Sequence, residues 1–401
     1  MIIKLKNSVS QKDINKLKID HKAFHIKSEN DHLLITSSGL KELPECLTNI
    51  TDDFWVFEND MQLASKSFKS EKRSINIGNV VIGGNTKNTV LIGGPCSVES
   101  EEQISSSAEL LVSLGLSVLR GGCYKPRTSP YSFQGLGLDG LKLLAKMRDK
   151  YGVSVITEVR DATQINEVIE YADVIQVGAK AMYDQGILRA CAKTKKPVLI
   201  KRGFGTTLQE FVQAAEFVLS GGNENVILCE RGIRTFETGT RFTLDLCGVA
   251  WLQEKSNLPI VLDPSHAMGY SYAIPSLSKA CVAMGVDNPY AIASCAVIGS
   301  FAGAEIMYKS DYDVHNAVFV DHLNTSDTGS SYTNWYNKKT GNSGIIHVTR
   351  SYLEGPFKCK DYDATIDITN SWPLVGIGGV NREVVFGTAC QLPDGRWIEK
   401  R

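Results

Sequence analysis

The sequence lacks an excess of either charge. It carries 43 lysine and arginine residues against 44 aspartate and glutamate residues, which gives a formal net charge of −1 over 401 residues. So balanced a chain has no general attraction to nucleic acid or to an anionic membrane surface. We therefore expect no nucleic-acid partner, and any anion-binding site must come from a local cluster of basic residues.

Long apolar runs and closely spaced cysteines are also scarce. The N-terminal segment MIIKLKNSVSQKDINKLK interrupts its apolar residues with lysines and lacks the continuous apolar core of a secretory signal. The ten cysteines include no CxxC pair, which predicts reduced thiols in a reducing compartment. We therefore expect a cytoplasmic protein in which Cys359 and Cys390, which could pair in an oxidising compartment, stay reduced.

Residues 1–72 alternate short β-like and helix-like segments. The segments MIIKLK, SQKDINKLK, AFHIKS, HLLITS, GLKELPECL and DFWVFE predict strand, helix, two strands, helix and strand. This βαββαβ order indicates a small ferredoxin-like domain, a common form of regulatory module. The polar and basic stretch ASKSFKSEKRS at 64–74 predicts a linker.

A different pattern begins near residue 75. Helix-sized intervals separate seven β-branched runs, which are TVLIGGPCS, SVLRGGCYK, SVITEVRD, DVIQVGAK, PVLIKRG, NVILCERG and PIVLDPSH. This alternation predicts a parallel β/α array. An open doubly wound sheet also fits it. However, every run ends in polar or glycine-rich residues, as the loops around a barrel mouth do, so we favour a (β/α)8 TIM barrel over residues 75–290.

The eighth strand of that barrel is atypical. GVDN at 285–288 ends a helix where the strand should follow, and the next run is PYAIASCAVIGSFAGAEIMY. Gly299 and Gly303 give this run a GxxxG spacing, but Glu305 interrupts it, so we expect a strand or a buried helix rather than a membrane span. The remainder of 291–401 has aromatic and β-branched runs broken by turn residues, which predict a small β-rich domain.

Charged residues cluster just past the predicted barrel strands. They are Arg120, Lys125, Arg127, Glu158, Lys180, Lys201, Arg202, Glu230, Arg231 and Arg234. Each alone is typical of a solvated surface charge or an ion-pair partner. Together they lie on one rim of a barrel, where arginine and lysine repel one another unless an anion lies among them. The cluster therefore predicts a substrate, or two substrates, with several negative charges.

Two soft metal ligands are expected on the same rim. Cys96 follows the first barrel strand and His266 follows the seventh. Separately, they are typical of a buried inert thiol and a hydrogen-bonded loop histidine. Together, a thiolate and an imidazole indicate a divalent transition-metal ion, whose site one or two carboxylates would complete.

Five of these segments resemble the motifs of one enzyme family. GGPCSVES, LRGGCYKPRTSPYSFQGLG, VLIKRGF, ILCERGIRTFE and LDPSHAMG occur in order. They are similar to the motifs of 3-deoxy-D-arabino-heptulosonate 7-phosphate (DAHP) synthases with an N-terminal ferredoxin-like domain. The resemblance extends from residue 1 to about 288. It implies an aldol-like condensation of phosphoenolpyruvate with erythrose 4-phosphate that releases phosphate, as the first step of the shikimate pathway.

The resemblance also implies residue roles. Phosphoenolpyruvate would bind Arg120, Lys125, Lys201 and Arg231, with Gly178 and Ala179 alongside. Arg127 and Thr128 would hold erythrose 4-phosphate, and Cys96 and His266 would hold a manganese, iron, cobalt or zinc ion beside the catalytic Lys125. The resemblance further implies a homotetramer and feedback inhibition at the N-terminal domain by an aromatic amino acid or a later pathway intermediate.

The chain departs from the family pattern at Lys180, at the AMYD segment that follows it, and in the setting of the eighth strand. Lys180 occupies a position that is normally arginine, which keeps the charge but loses the bidentate fork. The two metal-binding carboxylates of the family are absent from their usual setting, and Glu305 with Asp311 or Asp313 supplies the right residue types. The tail from residue 291 resembles the glycine-zipper region and small β-domain of bacterial outer-membrane surface antigens, which suggests a fusion.

Three functions are therefore open on the sequence alone. The first is an active, metal-dependent DAHP synthase. The second is a catalytically inactive relative that binds anions or effectors in a regulatory role, because two more oxygen ligands near Cys96 and His266 are needed for activity. The third is an envelope-associated protein that acts through its tail, which would require an export signal that the N-terminus does not show.

Overall fold

The chain folds into two compact units in a computed structural model, Met1–Ala302 and Gly303–Arg401. The structure describes residues 1–28, 31–86, 89–125, 129, 131–270, 273–284, 291–293, 309–326, 331–338, 342–355, 357–369, 380–391, 395 and 397–400. In this part of the chain, no helix is both long enough and apolar enough to cross a membrane.

The first unit begins with a four-stranded antiparallel sheet. Its elements are β1 (Ile2–Leu5), α1 (Gln11–Asp20), β2 (Phe24–Ser28), β3 (Asp31–Ile35), α2 (Glu45–Thr48) and β4 (Thr51–Trp55), and the strand order is β2-β3-β1-β4. Ser10 starts α1 by accepting a hydrogen bond from the Asp13 amide. Alternation along β1 buries Ile3 against the two helices and Ile2 against the barrel.

A hairpin that the sequence analysis did not predict follows the basic stretch. It comprises β5 (Ser74–Ile77) and β6 (Val80–Gly83). Its apolar side chains Ile75, Ile77 and Ile82 pack against inward-facing residues near the beginnings of the barrel strands. These barrel residues include Val90, Val118, Val174 and Leu199. The hairpin therefore fills the barrel at the end opposite the carboxyl ends of its strands.

The seven predicted barrel strands are confirmed as parallel strands. They are β7 (Val90–Gly93), β8 (Val118–Arg120), β9 (Ser154–Val159), β10 (Val174–Val177), β11 (Val198–Lys201), β12 (Val226–Glu230) and β13 (Ile260–Leu262). The accompanying helices are α3 (Glu101–Ser113), α4 (Leu138–Tyr151), α5 (Ile165–Tyr171), α6 (Gln185–Ala192), α7 (Leu208–Ser220), α8 (Leu246–Lys255), α9 (Pro264–Met268) and α10 (Ile274–Ala283). Because the strands are parallel, all their carboxyl ends lie on one rim.

The barrel is closed by a short eighth strand, β14 (Ala291–Ala293). Ala291 pairs with Val261 of β13 on one side and with Val90 of β7 on the other. These three residues thus belong to the barrel sheet, and the division between the two compact units falls after Ala302. The GxxxG segment and Glu305 lie outside the described residues.

The segment before the hairpin is attached to the barrel. Glu216 of α7 accepts backbone N–H bonds from Gln62, Leu63 and Ala64, at 2.7, 3.2 and 2.9 Å. Asn257 donates from its side-chain amide to the carbonyls of Leu63 and Ser65. The stretch predicted as a linker thus begins in a fixed position on the barrel surface.

The second unit is an antiparallel meander with one helix. Its elements are α11 (Lys309–Thr325), β15 (Ser331–Tyr336), β16 (Ser343–Glu354), β17 (Phe357–Thr369), β18 (Val380–Gln391) and β19 (Trp397–Lys400). Phe319 and Leu323 of α11 pack on Trp335, Ile346 and Tyr362 of the sheet. Lys360, which is fully buried, donates to the Leu323 carbonyl at the end of α11 (2.6 Å).

The expectation that Cys359 and Cys390 stay reduced is wrong, because the structure joins them in a disulfide. The pairing register of β17 and β18 places them directly opposite each other, with their Cα atoms 4.0 Å apart. Cysteines at opposite positions of an antiparallel pair lie within reach of one another. The other described cysteines form no disulfide.

Candidate active site

The predicted site residues meet at the carboxyl ends of the barrel strands. Arg120 and Lys201 are the last residues of β8 and β11, and Arg231 follows β12 directly. Cys96 and Lys125 lie in the loops after β7 and β8, and His266 lies in α9 after β13. The parallel strand order therefore brings together residues that are up to 170 positions apart, the separation of Cys96 and His266.

Cys96 and His266 lie side by side on this rim. The Cys96 Sγ is 3.6 Å from the His266 Nε2, and the Lys125 Nζ is 3.1 Å from the same sulfur. Burial opposes ionisation of the thiol, but the His266 hydrogen bond and the charges of Arg120 and Lys125 outweigh it and lower the pKa of Cys96 to about 4. Cys96 is therefore a thiolate at neutral pH.

Arg120 is fixed beneath this pair. Its Nη1 donates to the carbonyls of Pro95 (3.2 Å) and Cys96 (2.9 Å), and its Nη2 lies 3.5 Å from the Glu158 carboxylate. Gly94 approaches the Arg120 backbone with a φ of +131°, and a Cβ there would overlap the Arg120 carbonyl. The GGPC motif thus positions Cys96 over a buried guanidinium.

Asp263 connects two of the predicted residues. Its fully buried carboxylate lies 2.7 Å from the Lys201 Nζ and 2.7 Å from the His266 Nδ1. It also caps α9 by accepting the His266 amide at 3.0 Å, with Pro264 at the first helical position. Burial would raise the pKa of Asp263, but His266 and Lys201 hold it well below its ordinary value.

The turn after β10 supplies backbone close to the same centre. Glu158 accepts from the Gln176 amide at 2.5 Å, and a Cβ on Gly178 would overlap the Glu158 carboxylate. Ala179 follows in a half-buried position and Lys180 is exposed. Glycine at 178 therefore lets the chain pass over the buried carboxylate.

Arg202 does not match the expectation that the cations of the rim bind an anionic substrate. Its Nη1 lies 2.9 Å from the buried Glu230 carboxylate and 2.7 Å from the Asp245 carboxylate. Burial lowers the pKa of Arg202, but these two carboxylates outweigh it and raise that pKa. Arg202 is thus neutralised by the protein itself, and Arg234 is exposed.

Arg231 is held in another way. It is 3% exposed, its Nη2 donates to the His266 carbonyl at 3.4 Å, and its Nη1 is buried without a hydrogen-bond partner among the described residues. The rings of Phe204 and Phe242 lie beside the guanidinium. Burial lowers the pKa of Arg231.

Some predicted residues fall outside the described part of the chain. Arg127, Thr128 and Glu305 are among them. Asp311 lies in α11 of the second unit, and its side chain is outside the description, as is that of Asp313. The predicted roles of these residues stay predictions.

The Cys96 and His266 donors suit a divalent transition-metal ion. Metal–sulfur and metal–nitrogen distances of about 2.3 and 2.0 Å at a tetrahedral angle place two ligand atoms about 3.5 Å apart, close to the observed separation of 3.6 Å. Among the described residues, the one cluster of three potential ligands is Glu354 with Cys359 and Cys390, whose sulfurs are already bonded to each other. The barrel thus contributes two of the expected ligands.

Four further residues around the site, Asp263, Gln176, Phe204 and Phe242, were not predicted from the sequence. Asp263 stands three residues before His266 within the LDPSH motif, so its position at a strand end was a usable signal. Gln176 carries no charge and the two phenylalanines resemble core residues. Only the fold brings their side chains to Arg120 and Arg231.

The chain is similar in sequence to known aldolases. A phospho-2-dehydro-3-deoxyheptonate aldolase from Thermotoga maritima is 46% identical over 227 residues, which are 57% of this chain and 67% of the relative. A 2-dehydro-3-deoxyphosphooctonate aldolase from Fusobacterium nucleatum is 32% identical over 241 residues, 55% of this chain and 85% of the relative.

Two solved structures are similar to this chain in fold and in sequence. The crystal structure of DAHP synthase from Thermotoga maritima matches with a TM-score of 0.56 and 37% identity, over 73% of this chain and 86% of that chain. A truncated form of 3-deoxy-D-arabino-heptulosonate 7-phosphate synthase from the same organism gives 0.53 and 43%, over 58% and 83%. Residues 62–293, more than half of the 401, match the DAHP synthetase I family, so the chain belongs to that family.

Proposed function

We propose that the barrel mouth carries out the DAHP synthase reaction, the condensation of phosphoenolpyruvate with erythrose 4-phosphate to DAHP and phosphate. The observation that carries this proposal is the convergence of buried Arg120, Lys125, Lys201 and Arg231 around Cys96 and His266. Two phosphates and a carboxylate require such a cationic site. This chemistry makes the chain a transferase of the shikimate pathway.

Each cation has a role in substrate binding. Arg120, Lys201 and Arg231 hold the phosphate and carboxylate of phosphoenolpyruvate, while the backbone of Gly178 and Ala179 lies along one side. Lys180 adds positive charge at the exposed edge of the rim. Arg127 and Thr128 are proposed to hold the phosphate of erythrose 4-phosphate.

The reaction needs two bond-forming steps. The enol carbon of phosphoenolpyruvate attacks the aldehyde carbon of erythrose 4-phosphate, and water adds to the carbon that becomes cationic before phosphate leaves. Lys125, whose Nζ lies 3.1 Å from the Cys96 Sγ, places an ammonium donor where the aldehyde oxygen gains negative charge. Arg120 and Lys201 keep the phosphate oriented while it departs.

Cys96 and His266 would hold a divalent metal ion, whether manganese, iron, cobalt or zinc. When bound, it acts as a Lewis acid that polarises the aldehyde. Asp263 orients the His266 ring through Nδ1, which directs Nε2 towards the Cys96 sulfur. Glu305 with Asp311, or with Asp313, remains our prediction for the carboxylate ligands.

The N-terminal segment is proposed to be a ferredoxin-like regulatory domain covering residues 1–72. The βαββαβ order and the antiparallel strand order β2-β3-β1-β4 support the fold. An aromatic amino acid or a later pathway intermediate is the proposed effector. A homotetramer is the proposed assembly. The effector and the assembly are both inferred from resemblance to the family.

Residues 291–401 are proposed to be a glycine-zipper segment followed by a surface-antigen-like β-domain. They are fused to a barrel that covers 75–290, and β14 at the start of the fused segment closes that barrel. The five-stranded meander of the second unit supports a separate β-domain. Because the substrates are charged metabolites of central pathways, we propose a cytoplasmic location for the enzyme. The balanced charge of the chain supports the absence of a nucleic-acid partner.

The reaction is tested by the mass of the product. Purified protein receives phosphoenolpyruvate with either a four-carbon or a five-carbon aldose phosphate. We expect a seven-carbon 2-keto sugar acid phosphate from the first and little product from the second. An eight-carbon product as the main outcome would contradict the proposal, and an enzyme that makes neither would support the alternative of an inactive anion-binding relative, which the relationships above do not favour.

A further inference from the structure

Arg231 stands apart from three other buried cations of the barrel mouth. Arg120, Lys201 and Arg202 each lie within 4 Å of a carboxylate, from Glu158, Asp263 and Glu230 respectively. Arg231 is as deeply buried as they are, yet no described carboxylate lies within ion-pair distance of it. A buried cation without a counter-ion is costly unless other groups stabilise it.

Two aromatic rings provide that stabilisation. The Arg231 guanidinium carbon lies 4.4 Å from the centre of the Phe242 ring and 4.9 Å from the centre of the Phe204 ring. The two rings lie parallel, 7° apart, with their centres separated by 4.9 Å. Phe204 comes from the loop after β11 and Phe242 from the loop after β12, so two loops meet at this one side chain.

A carboxylate and an aromatic ring hold a guanidinium with different consequences. A carboxylate neutralises the charge, so an incoming anion must compete with it. The negative face of a ring attracts the cation through its quadrupole and leaves the full charge available. A ring pair is therefore suited to an arginine whose counter-ion is the substrate.

We propose that Phe204 and Phe242 are positioning residues that hold Arg231 charged, oriented and without a protein counter-ion, so that its unpartnered Nη1 receives an anionic group of phosphoenolpyruvate. This inference rests on the proposed function, because it takes phosphoenolpyruvate as the anion. Neither phenylalanine needs to contact the substrate. Their effect passes through the guanidinium.

Arg241 also contacts this arrangement. Its guanidinium carbon lies 5.6 Å from the Phe242 ring centre, on the exposed side of the loop. The Phe242 ring therefore contacts an exposed cation as well as a buried one. Loss of this ring removes a stabilising contact of Arg231.

The test compares aromatic and aliphatic replacements in the full-length protein. Phe204→Leu and Phe242→Leu keep apolar volume but remove the ring, whereas Phe242→Tyr keeps the ring. Phe236→Leu is the matched control, because Phe236 lies in the same loop and is 98% exposed. Phosphoenolpyruvate binding is measured by calorimetry, and KM for each substrate and kcat are measured separately.

We expect each leucine variant to weaken phosphoenolpyruvate binding about two- to fivefold, the effect of one cation–π contact. The KM for the aldose phosphate should stay near that of the parent, and Phe242→Tyr should restore phosphoenolpyruvate binding. The Phe236→Leu control should match the parent. A general loss of folding would instead weaken the binding of both substrates, and it would weaken it equally in the leucine and tyrosine variants.

Two results separate this inference from the proposed function. If Arg231→Leu abolishes phosphoenolpyruvate binding while both phenylalanine-to-leucine variants bind as tightly as the parent, the inference is overturned and the site assignment stands. If Arg231→Leu itself leaves phosphoenolpyruvate binding unchanged, the site assignment fails and the inference fails with it.

Discussion

Asp263 joins the proposed substrate-binding and metal-binding parts of the site. A single buried carboxylate contacts both Lys201 and the Nδ1 side of His266. Carboxylate partners of metal-binding histidines fix the tautomer and the ring orientation. The position of the ammonium group and the direction of the imidazole therefore depend on the same side chain.

Replacement of Asp263 should therefore impair both parts. We expect Asp263→Asn to lower activity about 10- to 100-fold, the usual range for such partners. Weaker metal retention and a higher KM for phosphoenolpyruvate should accompany the loss. Asp139→Asn, at an 83% exposed side chain of α4, is the control. An Asp263→Asn enzyme that keeps parental metal affinity and KM would contradict the role given to this residue.

The reactivity of Cys96 tests its charge directly. With a pKa of about 4, the thiol of metal-free protein is ionised at every pH above that value. Alkylation of Cys96 by iodoacetamide, followed by mass spectrometry, should keep nearly the same rate from pH 8 to pH 5.

Cys123 serves as the internal control for that measurement. It lies in the neighbouring loop, and burial raises its pKa to about 11, so it should not react in this range. A Cys96 rate that falls tenfold for each pH unit below 8 would show an ordinary thiol and would contradict the assignment.

Strand-end residues were predictable from the sequence, whereas their partners were not. Arg120, Lys201 and His266 stand beside β-branched runs that mark the rim. The partners of Arg120 come from Glu158 and Gln176, more than 35 positions away, and only strand pairing brings them together. Side-chain partners across strands require the register, which a single sequence does not supply.

At the scale of elements, Glu216 of α7 fixes the segment that joins the N-terminal sheet to the barrel. Its carboxylate receives three backbone N–H groups from Gln62, Leu63 and Ala64. Burial nevertheless raises the pKa of Glu216 to about 7, because desolvation outweighs those hydrogen bonds. The protonated form is thus favoured in the folded protein relative to the unfolded chain.

This raised pKa gives a pH dependence of known sign. The contribution of Glu216 to stability is fully present below about pH 4.5 and is lost as the pH rises through about 7. We expect Glu216→Gln to flatten the decline in unfolding free energy between pH 5 and pH 7.5 by roughly 1–3 kcal/mol. Urea denaturation at several pH values measures this.

The exposed Glu254 of α8 provides the control for Glu216. Glu254→Gln should leave the pH profile of the parent unchanged. If Glu216→Gln keeps the full parental slope, another group causes the pH dependence and the role of Glu216 is wrong.

The seven long β-branched runs were predictable as strands because their apolar residues fill both faces of a buried parallel sheet. The β5–β6 hairpin was missed because its runs are short and follow a polar, basic stretch. β14 was also ambiguous, since Ala291 and Ala293 carry little strand preference. β14 forms because β13 and β7 lie on either side of it, where Val261 and Val90 pair with Ala291.

At the scale of the whole molecule, the disulfide belongs to one unit and the catalytic rim to the other. Cys359 and Cys390 lie in the second unit, 31 residues apart in sequence. A crosslink that closes a loop of this length stabilises a domain by about 3–4 kcal/mol. Cys359→Ser with Cys390→Ser should therefore lower the melting temperature of the second unit and leave turnover nearly unchanged.

Differential scanning calorimetry and a turnover assay on the same double variant measure these two effects. Cys46→Ser, at an exposed free thiol of the N-terminal sheet domain, is the control for cysteine removal. A large loss of turnover in the double variant, at a temperature where both units remain folded, would contradict this expectation.

We propose that this chain is a metal-dependent DAHP synthase whose cationic rim serves catalysis. The most direct measurement is phosphate release by the full-length protein supplied with phosphoenolpyruvate and erythrose 4-phosphate, with and without manganese, after treatment with a chelator. We predict release that requires both substrates, stops on chelation and returns with manganese. A folded protein that binds phosphoenolpyruvate yet releases no phosphate under any of these conditions would contradict the account.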